Sequence, residues 1–73
     1  MDKKYQDIHY QDSQTNYEYV LRCVHIITID MSGDFIEIYF KFPNESPEAK
    51  LDGGVKTKIM FLPKIRGAKL IID

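Results

Sequence analysis

Cysteine occurs once among the 73 residues, at Cys23, so no intramolecular disulfide can staple the fold and a secreted disulfide scaffold is excluded. Histidine occurs twice, at His9 and His25. Together with Cys23 they give three candidate ligands, too few for the four that a structural zinc usually takes. Nowhere do about 18 apolar residues run together, and the opening stretch MDKKYQDIHYQDSQ has no apolar run, so neither a membrane span nor a signal peptide is read. The expected location is cytoplasmic, with no membrane, metal or cofactor.

A second core would need roughly 50 further residues, so 1–73 is read as a single domain. Such a small chain buries only about 60% of the surface it exposes when unfolded. Its stability must come from good packing, self-association or a partner.

The net charge of −1 hides a division. Residues 1–40 carry three basic and seven acidic side chains, and residues 41–73 carry seven basic and four acidic ones. The stretch 56–69 holds Lys56, Lys58, Lys64, Arg66 and Lys69 and no acid. An acidic half and a basic half can attract each other within one fold or between copies, or bind two different partners.

The clearest local pattern is HIITIDMSGDFIEIYF, two β-branched and aromatic runs around Met31, Ser32, Gly33 and Asp34. This predicts a hairpin. With Ser32 and Gly33 as a two-residue turn, Ile29 opposes Ile36, Ile27 opposes Ile38, His25 opposes Phe40 and Cys23 opposes Phe42, all on an apolar face. Asp30 with Phe35, Thr28 with Glu37, Ile26 with Tyr39 and Val24 with Lys41 make the mixed face. A one-residue slip would spoil both faces. In this register Cys23 and His25 are core residues.

Residues 15–28 admit two readings. Thr15 to Glu18 fits a capping box, and Tyr17, Val20, Leu21, Val24 and Ile27 fit helical spacing. β-branched residues crowd the stretch and alanine is absent from it, which favours a strand. A strand over 17–30 would run roughly 46 Å, so a bulge or sharp bend is expected near Arg22. After Pro43, the order Ser46, Pro47, Glu48, Ala49 predicts one helical turn. Asp52, Gly53 and Gly54 end it. A third strand is read at 55–62, with Lys56 and Lys58 outward at one end and IMFL apolar on both faces at the other. Residues 63–67 read as a turn and 68–72 as a short last strand pairing tightly with the one before. Residues 1–12 alternate weakly around Tyr5, Ile8 and Tyr10, as a flexible arm or an edge strand would.

The expected architecture is mostly β: a small antiparallel meander of four or five strands, curled into a barrel or a bent sheet, with at most one short helix. No catalytic grouping stands out. Cys23 and His25 share a strand face but sit in the predicted core. Gly53 and Gly54 lack the setting of a phosphate loop, and the carboxylates pair poorly for hydrolysis.

Tyrosine is concentrated instead, with Tyr5, Tyr10, Tyr17 and Tyr19 among Asp2, Asp7, Asp12 and Glu18. Tyrosine gives contact area at low entropic cost. The leading expectation is a non-enzymatic inhibitor or adaptor that self-associates and grips a larger protein through Tyr10, Asp12, Tyr17, Glu18 and Tyr19. Its target could be a basic surface that normally binds nucleic acid, since carboxylates can stand in for phosphates. The alternative is a small nucleic-acid-binding domain using Lys56, Lys58, Lys64, Arg66 and Lys69. Lysines at outward strand positions also serve simply to keep an edge from pairing with strangers.

Overall fold

β-branched and aromatic residues at every second position form strands wherever the sequence carries them. The computed structural model describes residues 5–73. It contains β1 (Gln6–Asp12), β2 (Tyr17–Asp30), β3 (Phe35–Lys41), a helix α1 (Pro47–Leu51), β4 (Lys58–Pro63) and β5 (Lys69–Ile72). All pairings are antiparallel, in one sheet of order β4-β3-β2-β1-β5. The fold is mostly β with one short helix. The sheet bends but does not close, so the barrel form is not adopted.

β2 is a strand, as its β-branching demands, and it bends where its length requires. Gln6 pairs with Val24 but Ile8 pairs with Leu21, so Arg22 and Cys23 bulge opposite Asp7. Cys23 takes a left-handed φ of 61°, and its amide donates to Asp7 Oδ1 at 2.9 Å. β2 pairs with β1 as far as Val24 and with β3 from His25 onward. One long strand thus serves two halves of the sheet.

The predicted hairpin forms with a different turn and register. Asp30 Oδ1 accepts from the Ser32 amide at 2.8 Å and from the Ser32 hydroxyl at 2.7 Å. Those local bonds shape a six-residue connection, 31–36, between the paired Asp30 and Glu37, in place of the two-residue turn. Ile29 therefore opposes Ile38, and Asp30 opposes Glu37. A second irregularity at Ile27 then reverses the phase, so Ile26 faces Phe40 and His25 faces Lys41. Val24 enters the core, whereas Cys23 and His25 are exposed. The expectation that these two are core residues is thereby corrected.

Three further expectations change. The strand read at 55–62 begins only at Lys58. Lys58 opposes Phe40 in the inward phase and reaches Asp52 at 2.9 Å, while Lys56 is exposed ahead of the strand. The last strand does not pair with β4. β4 ends at Pro63, which has no N–H to begin a tight ladder, and β5 lies on β1, where Leu70 and Ile72 continue the inward phase of Tyr10 and Ile8. β1 is consequently an interior strand, and residues 1–4 of the predicted arm lie outside the described residues. Asp7 and Asp73 exchange backbone hydrogen bonds of 3.0 Å in both directions.

Ser46 caps α1 as its sequence predicts, accepting from the Ala49 amide at 3.1 Å. The inner faces of both halves pack together as one core: Ile8, Tyr10 and Val24 from one side, Ile36, Ile38, Phe40, Met60 and Leu62 from the other.

Candidate interaction surface

Strand phase decides what each predicted contact residue can do. Tyr10 and Asp12 share the phase of Ile8, so both are buried, Tyr10 with 1% of its surface exposed. The Tyr10 hydroxyl donates to the Pro63 carbonyl and ties the two halves together. The Asp12 carboxylate accepts from the Thr15 hydroxyl and from the amides of Gln14 and Thr15, the last two at 3.3 Å. The Thr15 hydroxyl bond chiefly holds the Asp12 pKa below its ordinary 3.8, outweighing the opposite pull of burial.

Tyr17 and Tyr19 are partly exposed in that same inward phase, and Tyr17 stands edge-on to Tyr10 with ring centres 5.7 Å apart. Glu18 points to the opposite face and meets His9 Nε2 at 3.2 Å. The five residues predicted as one acidic tyrosine face are therefore divided between core, turn and two surfaces.

The basic residues are also spread. Lys64 donates its ammonium to the Met31 carbonyl. With Arg66 it lines an apolar cleft of about 470 Å³ that includes Tyr10, Ile36 and Leu70. Lys69 lies in the outward phase of β5 beside Gln11, while Lys56 precedes β4 and Lys58 begins it, at the other edge of the sheet.

The outer face of β2, β3 and β4 carries what residue-type reasoning missed. Opposed pairs Phe35 with Pro63, Glu37 with Phe61 and Tyr39 with Ile59 share one phase. Phe61 is 56% exposed and Phe35 49%, and their rings meet edge to face at 6.4 Å. Ile59 is exposed in the same phase of β4 as Phe61, and Ile27 is exposed at the irregularity of β2. Carboxylates border this apolar area: Asp30 opposes Glu37, and Asp34 precedes Phe35. The Ser32 hydroxyl chiefly lowers the Asp30 pKa, with Lys64 adding to it, so Asp30 stays charged. Partial burial, assisted by a 3.2 Å bond to Glu37, raises that of Tyr39. The run IMFL, apolar on both faces, was the sequence signal for this surface.

Among the described residues no three of His, Cys, Asp and Glu gather to hold a metal, no hydrogen bond joins Cys23 to His25, and no helix is long and apolar enough to cross a membrane. Comparison with protein-family models, with curated proteins and with solved structures finds no match to this chain.

Proposed function

We propose that the chain is a small non-enzymatic protein-interaction module of the inhibitor or adaptor type. It docks through the outer face of β2, β3 and β4 onto a larger protein whose contact site has an apolar centre and a basic rim. One observation carries the reading: two phenylalanine rings are left about half exposed in edge-to-face contact, with Ile59 beside them and Asp30, Asp34 and Glu37 around them. Buried aromatic anchors supply most of the energy in protein interfaces, while charged rims choose the partner and speed encounter. A basic surface that otherwise binds nucleic acid fits such a rim.

Replacing both anchors, Phe35→Ser and Phe61→Ser, should weaken capture of the partner roughly 30-fold or more. Both rings are about half buried and also lose their mutual contact, so stability should fall by roughly 2–3 kcal/mol, read from the thermal transition of the double variant. Undiminished capture by the double variant would refute this placement. Retention of the captured protein after nuclease treatment distinguishes it from the basic, nucleic-acid-binding alternative.

A further inference from the structure

β4 is an edge strand: it pairs with β3 on one side, and among the described residues no second strand covers the other. The phase of its free groups follows from Pro63. That residue has no N–H and its carbonyl accepts from Tyr10, so the ladder to β3 runs through the alternate residues Lys58, Met60 and Leu62. The amides and carbonyls of Ile59 and Phe61 then face the open edge. Their side chains lie on the exposed apolar face just described.

Charge selects what can add there. Lys58 is tied to Asp52 and Lys64 to Met31, whereas Lys56 before the strand and Arg66 after it are exposed and form no ion pair among the described residues. Both ends of the open edge are cationic. A second copy joined by two-fold symmetry would pair β4 antiparallel to itself, setting the Lys56 end of one against the Lys64 and Arg66 end of the other, like charge on like.

We infer that β4 accepts, by strand addition, an extended segment of another protein that is apolar at alternate positions and carries carboxylates at both ends. Main-chain bonds to Ile59 and Phe61 supply affinity, and the cationic ends set selectivity. This rests on the interaction reading above only for the partner being a protein: the carboxylate-ended segment meets the β4 edge, and the basic rim meets Asp30, Asp34 and Glu37 on the face beside it.

The test uses the full chain and a synthetic peptide, Asp-Glu-Val-Thr-Val-Thr-Val-Glu-Asp. Titration should shift the amide resonances of Ile59 and Phe61. A peptide with lysines in place of its four acids should bind roughly tenfold more weakly. N-methylation at alternate peptide amides should abolish binding, with no change to the protein itself. Ile59→Pro should do the same, since that amide is not needed by β3. Absence of shifts at millimolar peptide, equal binding of the lysine peptide, or the same shifts appearing with protein concentration alone would each overturn the inference. Capture that depends on Phe35 while the peptide fails to bind leaves the docking face standing and removes only the strand addition. Peptide binding with capture indifferent to Phe35 and Phe61 does the reverse.

Discussion

Before the bulge at Cys23, β2 places Glu18 and Val20 on an outer face shared with His9, Gln11, Ile71 and Lys69. Beyond it, the same strand places Thr28 and Asp30 beside Tyr39, Glu37, Phe35, Ile59 and Phe61. The inner faces of the two halves are alike, both aliphatic and aromatic and packed into one cluster. Both outer faces are mixed, and they differ in how their apolar members are placed: on the first, Val20 and Ile71 are separated by His9. On the second, the rings of Phe35 and Phe61 meet and Ile59 follows in the same phase of β4, an apolar cluster of the kind that marks a contact site. The contrast separates residues that build the domain from residues that serve something outside it.

The strongest test asks whether the halves are one cooperative unit. Ile8 and Ile38 are both fully buried, one in each half. Alanine at either position should cost about 2–5 kcal/mol, read by denaturant unfolding as a single transition with an unchanged slope. Two separated transitions would show that the halves fold apart.

A smaller effect belongs to the junction between them. A non-glycine residue in the left-handed region is strained by roughly 1 kcal/mol, so Cys23→Gly should raise stability by about that much, and Cys23→Val should lower it. If both variants melt alike, the bulge stores no strain.

The smallest effect compares acid sensitivity. Asp12 and Asp30 both have pKa values held below 3.8 by hydrogen bonds. Their contribution is complete above that value and disappears as pH falls through the lower, folded-state value. Stability should therefore drop below about pH 3.8. Asp12→Asn and Asp30→Asn should each flatten that limb, because each removes a carboxylate whose pKa hydrogen bonds hold down. An unchanged limb for either variant in thermal melts between pH 2 and pH 5 would remove that half's aspartate from the acid response.

The strands were legible because β-branching and period two agree over 24–30 and 35–42, and the need for a bend near Arg22 followed from length alone. Register was not legible. Asp30 bonding to Ser32 changes the turn, and the irregularity at Ile27 swaps which residues face inward; neither leaves a glycine or proline signature at the position that matters. Cys23 and His25 were misplaced for that reason. Tyr10 and Asp12 were misread for another: residue type suggested contact, but phase relative to Ile8 governs exposure. The apolar double face at 59–62 was visible in the sequence, yet Phe35 joins it only through the pairing with Pro63, a contact 28 positions away along the chain that local pattern does not encode.

The paired bonds between Asp7 and Asp73 make the first and last described strands neighbours, so the path of the chain is almost a ring. A short linker leading from Asp73 back to the start of β1, with the chain opened between Gly53 and Gly54, would cut no strand and leave every pairing of the sheet in place. Such a rearranged chain would carry its free ends beside the cationic approach to β4, where a tethered strand could be fused directly onto the open edge.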